Sequence, residues 1–484
     1  LKFLFCVRHA RFARNFEVPL ETLARRGHSI KVLLDRGDPR LPAPRDRVLA
    51  RLAAENPEIT VCGAPVRGRA SWAETGRVLR TALDYARYLE PAYASVSRPR
   101  IRAGERVPPG FKALLSSRFG DRTLATIEAA ERGLPTSPAV HDLLAAERPD
   151  LIAITPLVEL GSPQLEYVRA ARQLGIPTVL AVASWDSLTM KGGIRDQPDR
   201  VVVWNEAQRR EAIELHGIDP KRVDAAGAVA YDHWLDWEPS SDRESFCRGI
   251  GLDPERPFIL YAGSSAFIAP DEDRFLAEWT QKVLADPAMG GAAVLYRPHP
   301  TNAYELDGLA GPPDLVVHPR GGADPQDEES RRLYFDSLHH SAAVVGINTS
   351  VLLEATLVGR PVLTVVSRYR ESQVGTKHFH YLLPEQGGPL RAAPDLDVHT
   401  KQLAAAIGAG AKPSEDFVRD FLRPDGPGTP ASERFADTLE RTAAEGPAGP
   451  MAESTRRVTF ASRALAAAIR AALAVNAAVG TVSR

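Results

Sequence analysis

Residues 342–366, AAVVGINTSVLLEATLVGRPVLTVV, carry the pattern that decides the fold. Ala342 to Val345 is a short continuous apolar run and reads as a buried strand. Gly346-Ile347-Asn348-Thr349-Ser350 forms a small polar connection. Val351 to Leu357 reads as a helix, and Pro361 to Val366 as a second apolar strand. Strand, helix, strand at this spacing is a βαβ unit, which implies a parallel sheet. Continuous rather than alternating apolar runs are expected where helices cover both sheet faces.

The same grammar extends outward in both directions. Phe258 to Ala262, Ala293 to Leu295 and Leu315 to His318 read as strands, and Glu272 to Ala285 as a helix. Nearer the N-terminus, Lys2 to Val7 and Ser29 to Leu34 are strands around a helix from Leu20 to Arg26, with Gly27 at its C-cap. Leu151 to Thr155, Thr178 to Ala183, Arg200 to Trp204 and Val223 to Gly227 continue that series, with helices ending at Leu174 and His216. Between them, Arg67 to Ser137 is helix-like and Arg-rich. The two series flank a polar stretch, Glu238 to Glu244. They predict an α/β protein with two Rossmann-like doubly wound domains facing a cleft, plus a C-terminal helical tail. The expected boundaries are 1–228, 229–425 and 426–484.

The tail opens with a turn-rich linker, Asp425 to Pro430, followed by a helix from Ser432 to Ala444 and an Ala-rich helix from about Phe460 to Val479. Phe460, Leu465, Ile469 and Leu473 lie near one face of the last helix. That face either packs on the body or a partner chain, or rests on a membrane surface, for which Arg456, Arg457, Arg463 and Arg470 are suitable flanks.

Composition sets further limits. A chain of 484 residues exceeds one hydrophobic core. With 60 Lys and Arg against 61 Asp and Glu, no global field drives binding to nucleic acid, so a charged ligand must be recognised locally. Three widely spaced cysteines, Cys6, Cys62 and Cys247, fit a reducing cytoplasm. The apolar run Leu1 to Val7 stops at Arg8-His9, too soon for a signal peptide. Arg470 interrupts the nearest approach to a membrane span, Ala464 to Val479. The expected location is cytoplasmic, with association at the inner face of the plasma membrane as an open addition.

Ligands of open parallel sheets bind past the carboxyl ends of strands. Four loops there are unusually polar. Tyr296-Arg297-Pro298-His299-Pro300 is stiffened by two prolines; Arg297 offers a planar cationic fork for phosphate, and His299 a proton or hydrogen bond. Asn348, Thr349 and Ser350 either cap the next helix or offer its N–H groups to an anion, and Glu354 one turn on could take a ribose hydroxyl pair. Gly263-Ser264-Ser265 lets backbone N–H groups approach phosphate, or is a plain turn. Ser184 to Gly193 gathers Trp185, Asp186 and Lys191: an aromatic face, a base and an ammonium, or a buried Trp anchor with a local turn. On the N-terminal side, Arg8, His9 and Arg11 follow the first strand and could receive an anionic acceptor or supply His9 as a base. His339-His340 and His378-Phe379-His380 invite a metal reading, but neither Cys nor carboxylate completes a ligand spacing, so no metal and no cofactor is expected.

Taken together, Tyr296-Arg297-Pro298-His299-Pro300, Asn348-Thr349-Ser350, Glu354-Ala355 and Gly359-Arg360-Pro361 resemble the C-terminal domain of GT-B-fold transferases. The His-Pro element followed by a Ser-bearing loop resembles bacterial capsule and teichoic-acid enzymes, including CDP-glycerol glycerophosphotransferases, in which the matching His and Ser positions hold the nucleotide's phosphates. The resemblance implies a glycosyltransferase of cell-envelope polysaccharide biosynthesis. A nucleotide-sugar donor would be held by Arg297, His299, Asn348, Thr349, Ser350, Glu354 and Gly263 to Ser265. A sugar, lipid or glycan acceptor would lie near Arg8, Arg11, Trp185 and Lys191, with Asp186 or His9 as the base. Glycerol phosphate transfer from CDP-glycerol, non-hydrolysing sugar-nucleotide 2-epimerisation and non-catalytic nucleotide-sugar binding are the alternatives.

Overall fold

The computed structural model describes residues 1–35, 47–65, 72–300, 314–320, 325, 327–410, 412, 414–426, 428–449 and 459–482. Two compact units emerge: Leu1–Ala230 together with Arg423–Arg484, and Tyr231–Leu422.

The first unit is built on a seven-stranded sheet of β1 (Lys2–Val7), β2 (Ser29–Leu34), β3 (Ile59–Gly63), β4 (Leu151–Thr155), β5 (Thr178–Ala181), β6 (Arg200–Val203) and β7 (Val223–Ala225). The order is β3-β2-β1-β4-β5-β6-β7, and all pairings are parallel. Alternate residues of one strand serve opposite faces. Phe3, Phe5 and Val7 join Leu20, Leu23 and Phe435 in one core, whereas Leu4 and Cys6 join Leu144, Tyr167 and Val168 in another. Both faces of β1 are therefore dry beyond Lys2, which is why its sequence is apolar from Phe3 to Val7. Each such side chain contributes about 1.5–3 kcal/mol of burial, and Phe5→Ala would cost about 3–5 kcal/mol. The sequence reading did not include β3. It is an edge strand with Thr60 and Val61 exposed, so it lacks the continuous apolar signature.

The Arg-rich segment forms a helical layer, and several of its cations are internal struts. Arg80 Nε donates to Glu131 at 2.8 Å and Arg169 Nη2 at 2.7 Å, all three groups being buried or nearly so. Burial alone would raise the Glu131 carboxyl, but Arg169 and Arg80 hold it at about 2. The tail belongs to the same unit. Phe435 of the helix Ala431–Glu445 meets Phe16 at 5.8 Å between ring centroids, and Glu433 receives Arg26. In the helix Phe460–Val482, Ala466 is buried in the helical layer with Leu465 and Ile469 against it, and Arg470 lies 4.4 Å over the Trp72 ring. Body packing thus accounts for two of the four apolar residues on that face. Leu473 lies outside the described side chains. Among the described residues, no helix is long and apolar enough to cross a membrane.

The second unit carries β8 (Phe258–Ala262), β9 (Ala293–Arg297), β10 (Leu315–Val317), β11 (Ala343–Gly346), β12 (Val362–Val365) and β13 (Arg391–Ala393). The order is β10-β9-β8-β11-β12-β13, again parallel throughout. The helix Glu272–Ala285 packs Phe275, Leu276, Trp279 and Val283 onto this sheet. β9 runs two residues further than its apolar pattern suggests, so Arg297 ends a strand instead of starting a loop. β13 and the helix Leu396–Ala409 were not anticipated; β13 is a three-residue edge strand, too short for a periodic signal.

Candidate functional site

In each sheet the chain reverses its direction of progress next to the first strand, at β1 and β4 in one unit and at β8 and β11 in the other. Such switch points open a crevice at the carboxyl ends of the strands.

At β8 and β11 the loops singled out in the sequence converge. Gly263 N–H donates to the Arg297 carbonyl at 2.9 Å. A Cβ at Gly263 would stand 3.0 Å from His299 N and 3.2 Å from Arg297 O, so a side chain there would force the two strand ends apart. Asn348 turns inward. Its Nδ2 donates to Ser372 O at 2.6 Å and lies 3.3 Å from His378 Nε2, so it fixes the loop from behind. Thr349 Oγ1 makes only a long 3.4 Å contact with Val351 N, and exposed Ser350 makes no side-chain cap. Capping therefore does not account for the Ser350 hydroxyl. The helix Val351–Leu357 is only seven residues long, so its dipole adds little to an anion site.

Arg297 is the distinctive group. It is only 8% exposed, its guanidinium carbon stands 4.7 Å over the Tyr334 ring, and its Nη1 is buried with no hydrogen-bond partner. Among the described residues it forms no ion pair. Burial pulls its pKa down to about 10, and the Tyr334 and Glu354 oxygens offset only part of that. Tyr334 donates a short hydrogen bond to Glu354 Oε2, which fixes the carboxylate that the sequence placed one turn past Ser350. His318, at the end of β10, is held below its usual pKa by burial and by Arg297. His299 is half-buried.

At β1 and β4 the cations are compensated. Arg8 Nε donates to Glu159 Oε2 at 3.0 Å and Nη1 to Asp35 Oδ2 at 3.4 Å. Tyr167 Oη donates to the other oxygen of Asp35 at 2.6 Å. His9 Nε2 lies 3.9 Å from Glu159 Oε1, and its ring sits 4.6 Å from Phe12. Asp186 accepts from Ser184 Oγ at 2.7 Å and pairs with Lys191 Nζ at 3.1 Å. Lys191 also stands 5.8 Å over the Phe12 ring, so His9, Phe12, Lys191 and Asp186 share one neighbourhood. Trp185 is 5% exposed, which makes its ring an anchor with little face left to stack on a sugar. The Arg11 side chain lies outside the described residues.

The helical layer braces this loop. Arg87 Nη2 donates to Leu188 O at 2.8 Å, and Asp84 accepts Gly161 N–H at 2.8 Å and Gly193 N–H at 2.9 Å. Ile194 N–H donates to His216 Nδ1 at 3.1 Å, so the ring proton resides on Nε2, which faces Leu188 O at 2.8 Å. Burial and Arg87 hold His216 well below its usual pKa, keeping it neutral.

No protein-family profile matches the sequence, and comparison with curated proteins returns no match. Solved structures do match. A Listeria monocytogenes protein provisionally assigned as a UDP-N-acetylglucosamine 2-epimerase superposes with a TM-score of 0.55 at 13% identity, covering 92% of this chain and 97% of that one. The UDP-GlcNAc 2-epimerase of Methanocaldococcus jannaschii gives 0.52 at 10% identity over 91% and 100% of the two chains. That of Neisseria meningitidis, bound to UDP-GlcNAc, gives 0.50 at 12% identity over 91% and 100%. The fold is GT-B. At these identities the likeness concerns architecture alone, and the chemistry must be argued from the residues. A particular likeness to CDP-glycerol transferases does not emerge from the comparisons.

Within the GT-B frame, reading past strand ends reached Arg297, His9 and the serine loops but missed their partners. Glu159 stands four residues beyond β4, and the same rule would have found it. Asp35, directly after β2, was equally legible. Tyr334 and Glu272 lie on helices and gave no local signal. The histidines weighed as metal ligands have structural partners: His340 meets Ser241 O at 2.8 Å, His378 meets Asn348, and His380 meets Val374 O at 2.9 Å. Among the described residues, no group of three or more His, Cys, Asp or Glu is arranged to hold a metal ion.

Proposed function

We propose that this chain transfers a sugar from a nucleotide-activated donor to a hydroxyl acceptor, with the donor's diphosphate on the Tyr231–Leu422 unit. One observation carries the donor half: Arg297, a buried guanidinium that forms no ion pair among the described residues, sits where the β8 and β9 ends and the Asn348–Ser350 loop meet. A buried uncompensated charge is costly, and an arriving polyphosphate would supply the missing partner. The N–H groups of Gly263 and Ser264 are taken by Arg297 O and Glu272, so from that loop Ser265 N–H would join exposed Ser350 in the cradle, His299 would add a hydrogen bond, and Glu354, oriented by Tyr334, would take a ribose hydroxyl. Fixed cationic and dipolar groups of this kind stabilise a departing diphosphate without reorganising.

The acceptor half rests on the Leu1–Ala230 unit. His9 is our base. Glu159 at 3.9 Å would orient the ring and stabilise it once protonated. Asp186 is the weaker candidate, because Lys191 and Ser184 already engage its carboxylate. Arg8 is matched by two carboxylates, which favours a neutral polyhydroxyl acceptor over an anionic one. The deciding experiment is a thermal-shift panel of UDP, CDP, CMP, GDP and dTDP on wild type, Arg297→Ala and His299→Ala. A ligand that binds only the folded state raises the melting point. One nucleotide should shift the wild type and neither variant; equal shifts in all three proteins would end the proposal. The CDP arm also covers a polyol-phosphate donor.

A second reading is sugar-nucleotide 2-epimerisation. It draws on the carboxylates Asp35 and Glu159 around Arg8, with His9 beside Glu159, since elimination and re-addition need several acid–base groups, and on the epimerases that share the fold. Incubation with UDP-GlcNAc alone separates the two. A changed C2 centre without added acceptor supports epimerisation; sugar transfer that requires an acceptor supports the first reading.

A further inference from the structure

Glu272 opens the helix Glu272–Ala285 directly behind the Gly263–Ser265 loop and is fully buried. Its Oε2 accepts Ser264 N–H at 2.7 Å and its Oε1 accepts the Tyr261 hydroxyl at 3.2 Å. The titratable groups facing this site from neighbouring strands are phenols: Tyr261 on β8 touches Glu272, and Tyr296 on β9 and Tyr369 beyond β12 bear on Tyr261. Among the described residues, no cation pairs with Glu272. A carboxylate so placed is expensive to ionise. Burial pushes the carboxyl up to about 8, even though its donors pull the other way. The group is therefore a neutral acid at pH 7, in a layer that otherwise offers only hydroxyls.

We propose that Glu272 is a positioning residue that sets the Gly263–Ser265 loop for an anionic ligand and makes that binding fail in alkaline solution. The proposal rests on the donor reading of this loop. While protonated, Glu272 carries its proton on Oε1, directed at the Tyr261 oxygen whose own O–H then turns away, keeps Ser264 N–H on Oε2, and leaves the loop without charge. Once ionised, it places a negative charge behind the backbone that the anion approaches, in a poorly screened interior. Proton binding and anion binding then favour each other reciprocally.

The test uses UDP as the probe and calorimetry on the full chain between pH 7 and pH 9, comparing wild type with Glu272→Gln, which keeps the shape and removes the titration. Wild-type affinity should fall about tenfold across that interval, because roughly nine-tenths of the group is ionised one unit above its midpoint. Glu272→Gln should match the wild type within about threefold at pH 7 and lose the slope, as expected when the coupled proton is gone. Parallel slopes in the two proteins would overturn the proposal. A second, ligand-free measurement is the melting temperature against pH. A carboxyl whose folded pKa is raised contributes its stability in full below its unfolded value near 4.5 and loses it as pH rises through about 8. The wild type should thus lose ground to Glu272→Gln from pH 5 to pH 8 and run parallel above. A constant difference over that window would overturn the neutral-acid assignment whether or not UDP binds. Absence of UDP binding to the wild type at pH 7 would overturn the donor reading and the anion half of this proposal, while the ligand-free arm would still decide the state of Glu272.

Discussion

Arg8 and Arg297 both stand at the carboxyl end of a parallel strand, Arg8 directly after β1 at one switch point and Arg297 at the end of β9, one strand out from the other, yet their electrostatics are opposite. Arg8 lies between Glu159 and Asp35, with Tyr167 locking the second carboxylate. Among the described residues, Arg297 has an aromatic ring under it, a buried nitrogen without a partner, and a carboxylate near enough to be felt but not paired. One unit pairs its cation internally; the other leaves a desolvated cation without an ion pair among the described residues. Uncompensated buried charge persists where a ligand supplies the counterion. The comparison teaches that in a doubly wound protein the charge found at a strand end says little until its partners are known.

Substitutions on both sides test that contrast. The largest effect is expected at the proposed base: His9→Ala should lower turnover by about two to four orders of magnitude, the usual worth of a positioned general base. Nucleotide-induced thermal shifts should stay intact, and a parallel loss of nucleotide binding would merge the two sites we keep apart. Arg297→Ala should weaken nucleotide binding by about 30-fold or more, the scale for losing one member of a buried charge pair. Arg297→Met should leave the ligand-free protein at or above wild-type melting temperature, since an unpaired buried charge is removed; a marked drop would mean the guanidinium has a structural partner. Arg8→Gln should do the reverse, destabilising the fold by about 1–3 kcal/mol because two carboxylates lose their donor, with nucleotide affinity unchanged. Denaturant titration alongside calorimetry reads both quantities. The smallest effect should come from Ser350→Ala, a loss of about two- to fivefold in nucleotide affinity for one exposed hydroxyl.

Much of the architecture was open to reading before any coordinates. The runs at Phe3–Val7, Leu151–Ile154 and Phe258–Ala262 are apolar without interruption because both faces of those strands are covered, and the structure places strands over them. The short edge strands Ile59–Gly63 and Arg391–Ala393 escaped because half of each faces solvent and neither shows a sustained period. The Arg-rich segment resisted reading for a related reason. Arg80 pairs with Glu131 across two of its helices, and its carboxylates Glu131 and Asp84 also receive Arg169 and Arg195 from further along the chain.

By itself the sequence determined the alternation of strand and helix, and so the parallel sheets, their switch points and the loops that crown them, because hydrophobic period and turn chemistry are local properties. Tertiary structure alone decided which polar groups in those loops are spent on the fold and which remain for a ligand. Arg8 meets a carboxylate 151 positions away, Asn348 is turned inward by a carbonyl 24 positions on, and Arg297 meets no carboxylate at pairing distance among the described residues. Charge compensation and desolvation depend on distance in space, which spacing along a chain does not encode.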